Sequence, residues 1–178
     1  MTEPVEAKRE LVLLRHGIAE ERSPDRVDAG RALTEQGRQR SRSVLRKVLM
    51  LGLQAERLVS SPLIRARQTA EIALAVGLAP ALELAESLVP GADPLPLVEA
   101  WLASGWNGNP APRRLLLVGH EPDLGLLAAR LIGAAPGSIT LRKAGVALLA
   151  FEAGVSGTGP PHGEASLRLL LSPRSLLG

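Results

Sequence analysis

Short runs of aliphatic residues alternate along the chain with longer segments in which apolar residues recur every three or four positions. Each short run predicts a buried strand, because a strand covered on both faces lacks polar alternation. The longer segments predict amphipathic helices. The runs lie at 11–14, 58–59, 115–118, 146–151 and 167–171, with a further short strand near 81–84. The pattern predicts an α/β protein, a three-layer sandwich with a mostly parallel central sheet, helices on both faces and an antiparallel edge strand.

Capping residues place the helix boundaries. Thr34 is a favoured N-cap and predicts a helix over 35–51. Ser61 followed by Pro62 predicts a second start, with Ser61 as the cap and Pro62 as the first helical residue. Periodicity predicts helices over 94–103 and 124–132, and Pro122 just before the second one suits the first position of a helix. Gly/Pro clusters predict loops over 105–112 and 154–163, and the lack of periodicity predicts a third loop over 18–32.

Length and composition narrow the class of protein. The 178 residues suit one domain covering 1–178, in which the polar residues 1–9 are expected to fray. Cysteine and tyrosine are absent, so the core must be aliphatic and no disulfide, thiolate nucleophile or cysteine-bound metal is available. Because no apolar segment approaches roughly 18 residues and the first residues are polar, we expect a cytoplasmic protein with no membrane contact.

Positive charge is concentrated in one part of the chain. Between Arg31 and Arg67 nine basic residues face only two acidic ones, Glu35 and Glu56. This excess indicates an anionic partner, with phosphate the first candidate. The competing interpretation for most of these arginines is an ordinary solvated helix face.

Polar side chains follow three of the predicted strands at the point where each strand ends. In a parallel sheet these ends meet at one edge, so the side chains are expected to surround one hollow. They are Arg15 and His16 after the first run, Arg65 in the turn that follows the second, and His120 after 115–118, two histidines and two arginines.

This set of residues suits phosphoryl transfer. A neutral His16 imidazole can attack phosphorus, and arginine side chains match the charged oxygens of the transferring group. His120 can donate to an oxygen that gains charge. A metal site is disfavoured because the histidines lack partners at ligand spacing, and His162 in a Pro/Gly loop is expected to be solvated, so we expect no metal and no cofactor.

Three motifs together resemble the histidine phosphatase superfamily, the phosphoglycerate mutase-like proteins. They are Arg15-His16-Gly17, the segment from Ser60-Ser61-Pro62 through Arg65-Ala-Arg-Gln-Thr-Ala, and Gly119-His120-Glu121-Pro122. The resemblance runs from about residue 10 to 171, and the segments 28–37 and 88–93 are similar to the SixA-type phosphohistidine phosphatase branch. It implies that His16 is the phosphorylated nucleophile and that Arg15, Arg65 and His120 form the phosphate pocket.

The proton donor is less clearly indicated. Many members of the superfamily use a carboxylate after the third strand, and Glu86 is the best positional match, with Asp28 as its rival. Arg31 is expected to line the entrance and to bind phosphate or an acidic partner. Ser61 and Gly17 are expected to contact the substrate.

The expected activity is a metal-independent phosphatase with a phosphohistidine enzyme intermediate. The favoured substrate is phosphohistidine on a protein such as a phosphotransfer domain; the alternative is a small phosphorylated metabolite, a sugar or nucleotide phosphate. A phosphate- or RNA-binding module without catalysis is a further alternative, but the scarcity of aromatic residues argues against nucleic acid. The sequence gives no indication of the oligomeric state.

Overall fold

The structure, a computed structural model, describes residues 8–103, 113–152 and 161–178. These residues form a six-stranded sheet with five α-helices. The strands are β1 (Arg9–Arg15), β2 (Arg57–Ser60), β3 (Leu82–Leu84), β4 (Arg114–Gly119), β5 (Val146–Phe151) and β6 (Ala165–Leu171). The helices are α1 (Glu35–Met50), α2 (Ile64–Ala75), α3 (Leu95–Leu102), α4 (Asp123–Leu131) and α5 (Pro173–Leu177).

The strand order β3-β2-β4-β1-β5-β6 confirms the predicted fold class. The pairs β3–β2, β2–β4 and β4–β1 are parallel, whereas β5 is antiparallel to β1 and β6 is antiparallel to β5. β1 lies in the interior of the sheet, where it pairs with β4 on one side and with β5 on the other. The carboxyl ends of β1, β2 and β4 therefore lie side by side at one edge, which is where the predicted site residues follow.

Two hydrophobic cores lie on opposite faces of the sheet, and β1 contributes to both. Leu11 and Leu13 pack with α3 and α4, while Val12 and Leu14 pack with α1 and α2. All four side chains are at most 1% exposed. The continuous aliphatic run at 11–14 thus has the cause inferred from the sequence, which is helices on both faces. Truncating one of these leucines to alanine is expected to cost about 2–5 kcal/mol of stability.

The helix starts differ from the prediction at two prolines. Thr34 caps α1 as predicted, since its Oγ1 accepts from the Gly37 N–H at 2.9 Å. The prediction of Ser61 as the cap of α2 was wrong, because α2 begins at Ile64 and the residue before it is Leu63. Likewise α4 begins at Asp123, so Pro122 precedes the helix and joins Glu121 through a cis peptide bond.

The amino-terminal boundary also needs correction. Arg9 was expected to fray, but its backbone pairs with Phe151 in the sheet and its Nη1 donates to the Leu102 carbonyl at 2.7 Å. Residues 1–7, the predicted loop 105–112 and most of the predicted loop 154–163 lie outside the described residues. In the part of the chain that is described, no helix has the length and apolar character needed to cross a membrane.

Candidate active site

The loops after β1, β2 and β4 enclose a cavity of about 320 Å³ at the edge of the sheet. Its lining includes Arg15, His16, Arg65 and His120, together with Arg31. This confirms that the four side chains predicted to form the phosphate pocket come together. Arg65 is the second residue of α2, so the amino-terminal end of that helix faces the same region and favours negative charge there.

His16 is held in one tautomer by a backbone carbonyl. Its Nδ1 lies 2.7 Å from the Gly17 oxygen, and because a carbonyl only accepts, Nδ1 must carry the proton. Burial is the main cause that lowers the pKa of His16 to about 3, against the opposing effect of the Gly17 hydrogen bond. At neutral pH the ring is therefore uncharged and its Nε2 has a free lone pair.

His120 lies beside His16, with the two ring centroids 5.2 Å apart. Its Nε2 is 2.8 Å from the Ser61 hydroxyl, and its buried Nδ1 has no partner among the described residues. Burial, followed by the charge of Arg65, lowers the pKa of His120 to about 4. If the Ser61 hydroxyl donates to Nε2, then Nδ1 carries the proton and can donate to a ligand. Ser61, whose contact with substrate stays a prediction, contacts His120.

Each of the two arginines is anchored through its terminal nitrogens. Arg15 donates from Nη1 to the Leu141 carbonyl at 2.8 Å. Arg65 donates from Nη1 to the Asp28 carbonyl at 2.9 Å and from Nη2 to the Asp28 carboxylate at 3.0 Å. The Nε atoms of both arginines are buried without a partner among the described residues. Each guanidinium is thus held in place by its terminal nitrogens and keeps an N–H donor on Nε. Such a fixed donor is what a site for an oxyanion requires.

Asp28 links the arginine of α2 to the loop over 18–32. Its carboxylate also accepts from Arg31 Nε at 2.9 Å, and Arg31 Nη1 donates to the Glu20 carbonyl at 2.8 Å. Burial disfavours the charge of Asp28, but Arg65 and Arg31 outweigh burial and lower its pKa. Asp28 is therefore ionised at neutral pH, which suits an anchor for the arginines better than a general acid. Arg31 lines the cavity, as predicted.

Four predicted site residues are not among the described residues that line the cavity, namely Glu86, Gly17, Asp28 and Ser61. Glu86 is exposed in a short 3₁₀ helix, Glu86–Leu88, so this geometry gives its role as general acid no support. Gly17 donates its N–H to Thr69 Oγ1 at 3.1 Å instead of pointing it at a ligand. A Cβ on Gly17 would collide with Ser41 Oγ, which explains why this position is a glycine.

Glu121 is a site residue that the sequence reasoning quoted but did not assign. Its side chain lines the cavity, and its Oε1 accepts from the Leu141 N–H at 3.2 Å. The carbonyl of the same residue, Leu141, accepts a hydrogen bond from Arg15 Nη1. Glu121 therefore supports Arg15 indirectly, by holding the backbone of Leu141. Burial raises the pKa of Glu121, against the opposing effects of the Leu141 N–H and Arg15. The sequence feature that could have identified Glu121 is its position directly after His120, at the end of a predicted strand.

Thr69 is a second unassigned residue, within the motif that follows Arg65. It is fully buried, its Oγ1 accepts from the Gly17 N–H, and the same hydroxyl donates to the Arg65 carbonyl at 2.7 Å. It therefore connects the turn after β1 to the first turn of α2. The sequence feature that could have identified this contact is the spacing of four residues between Arg65 and Thr69, since a threonine in a helix can donate to the carbonyl four residues before it.

Cations outnumber carboxylates among the described residues that line the cavity. The lining contains five cations and three carboxylates, which are Arg15, Arg22, Arg31, Arg65 and Lys143 against Glu20, Glu21 and Glu121. In the ranges that the structure describes, no three His, Cys, Asp or Glu side chains are grouped closely enough to hold a metal ion. The donor set, two neutral histidines between fixed guanidinium groups, is that of a site for a phosphoryl group.

An α/β sheet whose strand ends carry a buried neutral histidine between anchored arginines defines a phosphoryl-transfer class of enzyme. The model of the histidine phosphatase superfamily (branch 1) matches residues 11–88. A relative from Picosynechococcus sp., described as an uncharacterized protein, is 38% identical over 169 residues, which are 94% of this chain and 99% of the relative. The chain belongs to the histidine phosphatase superfamily, and within it resembles the SixA-type branch.

Solved structures agree with this assignment. The protein histidine phosphatase SixA complexed with tungstate has a TM-score of 0.74 and 27% identity, covering 94% of this chain and 99% of that one. The native structure of a mycobacterial glucosyl-3-phosphoglycerate phosphatase shares the fold at a TM-score of 0.62 and 17% identity, covering 93% of this chain and 99% of that one, and its complex with VO3 has a TM-score of 0.67. Family and fold together support a phosphatase.

Proposed function

We propose that this protein removes phosphate from phosphohistidine on a protein, through a phosphorylated His16. The observation that carries the proposal is the 2.7 Å contact between His16 Nδ1 and the Gly17 carbonyl. This contact places the proton on Nδ1 and leaves Nε2 as the nucleophile, in a cavity whose arginines are fixed before substrate arrives.

In the first step the Nε2 lone pair of His16 forms a bond to phosphorus while the bond between phosphorus and the substrate imidazole breaks. The electron pair of that bond stays on the leaving nitrogen, which takes a proton from solvent water, and the second step returns one proton to solvent. Arg15, Arg65 and His120 donate to the phosphoryl oxygens during the transfer. The product is a neutral substrate histidine and phosphohistidine at position 16.

In the second step water attacks the phosphorus of phosphorylated His16. The bond to Nε2 breaks, its electron pair returns to the ring, and inorganic phosphate leaves after the water has lost a proton. His16 regains its starting tautomer because the Gly17 carbonyl still holds the Nδ1 proton.

Two observations support a phosphohistidine substrate. The chain resembles SixA over nearly the full length of both proteins, at 94% and 99%. A phosphoimidazole also has a labile P–N bond, so its departure makes only a modest demand on a general acid. That agrees with a cavity lined by Glu121, whose pKa is raised by burial, while Asp28, which binds Arg65 and Arg31, has a lowered pKa. The expected partner is a histidine phosphotransfer domain.

A small phosphorylated metabolite is the second candidate substrate. The cavity of about 320 Å³ is within the usual size range of a small-ligand pocket, and a sugar-phosphate phosphatase shares the fold. The two candidates make opposite predictions for the ranking of substrates by kcat/KM.

The test compares phosphate release from a phosphohistidine peptide, p-nitrophenyl phosphate and a set of sugar phosphates, each with and without EDTA. We expect the phosphohistidine peptide to rank first, EDTA to have no effect, and His16→Ala to abolish release. His162→Ala is the matched control, since His162 is exposed and contacts Arg130 away from the cavity. Turnover that survives His16→Ala would refute the mechanism, and a sugar phosphate ranking first would refute the proposed substrate.

A further inference from the structure

A second, larger groove adjoins the catalytic cavity on the side of α5. It has a volume of about 590 Å³ and shares Arg15 and Lys143 with the catalytic cavity. Three more cations line it, Arg40 of α1, Arg142 in the turn before β5, and Arg174 of α5. Among the described residues, none of those that line it carries a carboxylate. We call this feature, defined by these five cations, the basic groove.

Four of the five cations of the basic groove have no counter-charge among the described residues. Within the described ranges no ion pair or side-chain hydrogen bond involves the guanidinium groups of Arg40 and Arg174, which belong to the two helices that border the groove. Exposed arginines outside the groove are mixed in this respect, since Arg22, Arg67 and Arg130 pair with a carboxylate whereas Arg42 and Arg46 have no such pair within the same ranges. Arg142 and Lys143 are exposed and unpaired in the same way. Like charges that converge without counter-charges repel one another, and an anionic ligand relieves that repulsion.

The turn that carries two of these cations is built against the catalytic strand end. Ala144 N–H donates to the carbonyls of Arg15 at 3.1 Å and His16 at 3.0 Å. Ala144 has a φ of 58°, a left-handed conformation that costs an ordinary residue about 1 kcal/mol and is found mostly where the surroundings enforce it. The turn therefore holds Arg142 and Lys143 at a fixed place beside the nucleophile.

We propose that the basic groove binds an acidic segment of the phosphorylated protein, on the chain that carries the phosphohistidine. The proposal rests on the proposed function, because it assumes that the group entering the catalytic cavity belongs to a protein. The groove shares Arg15 and Lys143 with that cavity, so a chain whose phosphohistidine reaches His16 has a direct path over it. Guanidinium groups bind carboxylates through two parallel hydrogen bonds, which suits glutamate and aspartate side chains.

A polypeptide fits the groove better than RNA does. The groove contains no aromatic side chain, whereas single-stranded nucleic acid is usually bound by stacking on aromatic rings. Its uncharged lining is formed by Ile18, Ser172 and Pro173, which present aliphatic surface and one hydroxyl. RNA is accordingly kept as an outcome of the test.

The experiment uses two histidine peptides of equal length, phosphorylated with phosphoramidate, that differ only in glutamates or glutamines around the phosphohistidine. The enzyme variants are R40Q/R174Q in the groove and R42Q/R46Q as the matched control. Arg42 and Arg46 are exposed on α1 outside the groove, so both double variants lose the same charge. For each enzyme we compare kcat/KM with the two peptides at low and high salt.

For the wild type we expect a preference of about tenfold for the acidic peptide at low salt, falling at high salt, because two exposed charge contacts each contribute a few-fold. R40Q/R174Q should bring the preference close to one while kcat/KM for the neutral peptide stays unchanged. R42Q/R46Q should keep the preference. Equal turnover of the two peptides by the wild type, or equal loss of preference in both double variants, would overturn the proposal.

Binding of the unphosphorylated peptides, followed by fluorescence anisotropy, separates this proposal from the proposed reaction. If no phosphohistidine peptide is hydrolysed but the acidic peptide binds and R40Q/R174Q weakens that binding, the groove assignment is supported and the proposed substrate fails. If phosphohistidine peptides are hydrolysed but the acidic peptide shows no binding advantage, the substrate stands and the groove assignment fails. Tighter binding of a single-stranded RNA than of the acidic peptide would also overturn the assignment.

Discussion

The hydroxyl of Ser61 provides a sharp test of how the site is organised, because a hydroxyl that donates to His120 Nε2 sets the tautomer of that ring. Replacing it with alanine removes the 2.8 Å contact to His120 Nε2 and the weaker contact from the Leu63 N–H at 3.3 Å. Both Ser61 and His120 are almost fully buried, at 0% and 3% exposure, so water does not readily replace the hydroxyl. His120 is then free to carry its proton on Nε2 instead of on Nδ1.

The expected cost follows from the worth of one buried hydrogen bond. A net value of about 0.5–1.5 kcal/mol for the contact corresponds to a loss of roughly threefold to tenfold in the population of the competent tautomer. We therefore expect Ser61→Ala to lower kcat/KM by about that factor. Stability should fall by about 1–3 kcal/mol, because the Leu63 N–H and His120 lose a partner.

Ser60 offers the matched control for this substitution. It is equally buried and its Oγ donates to the Ser61 carbonyl at 2.9 Å, but it makes no contact with His120. Ser60→Ala should cost about 1 kcal/mol of stability and leave kcat/KM per folded molecule nearly unchanged.

Three measurements check the reasoning on Ser61. They are phosphate release from the phosphohistidine peptide, urea unfolding, and long-range ¹⁵N NMR of the His120 ring, which reports the tautomer. Wild-type protein should show the proton on Nδ1 of His120, and Ser61→Ala should show a mixture. The reasoning is refuted if the two alanine variants have equal activity, or if the His120 tautomer does not change in Ser61→Ala.

Three further predictions concern the neighbours of His16 and its protonation. Thr69→Val keeps the shape of the side chain but leaves the buried Gly17 N–H without its acceptor, so kcat should fall about tenfold and stability by about 1–3 kcal/mol; an unchanged kcat in steady-state assays would contradict this. Glu121→Gln keeps an acceptor for the Leu141 N–H and should leave KM within about twofold, whereas Glu121→Ala should raise KM because Arg15 loses support; identical effects of the two changes on KM would contradict the support of Arg15 through Leu141. Burial lowers the pKa of His16 to about 3 in the folded protein, whereas His16 in the unfolded chain has an ordinary pKa of ~6.5. As the pH falls, His16 is therefore protonated in the unfolded chain before it is protonated in the folded protein. Stability should therefore be lost as pH falls below ~6.5, and His16→Gln should show a shallower loss between about pH 7 and pH 5 in urea unfolding; equal slopes would contradict the lowered pKa.

The fold and the centre of the site follow from short-range patterns. The aliphatic run at 11–14 has no polar alternation, so it had to be covered on both faces, and the two cores confirm this. Once the sheet is parallel, topology alone brings the ends of β1, β2 and β4 to one edge. The convergence of His16, Arg65 and His120 could therefore be predicted although these residues lie far apart in the chain.

The parts that sequence reasoning missed depend on the directions of side chains within loops. Asp28 reaches Arg65 across 37 positions of the chain, and nothing in the spacing shows that its carboxylate binds that arginine. Ser61 matched a helix cap by pattern, but its hydroxyl also contacts His120, and the helix begins at Ile64. Glu86 was placed by position along the chain alone, and position does not determine whether a loop side chain turns toward a cavity.

The central claim is that His16 carries the phosphoryl group between the two steps. The most direct measurement is rapid quenching of the enzyme with a phosphohistidine peptide, followed by intact-protein and peptide mass spectrometry under alkaline conditions that preserve phosphohistidine. The account predicts an increase of one phosphoryl group, located in the peptide that contains His16, and its absence from His16→Ala. A phosphorylated His120 or His162, or full turnover with no phosphorylated enzyme at any time after mixing, would contradict it.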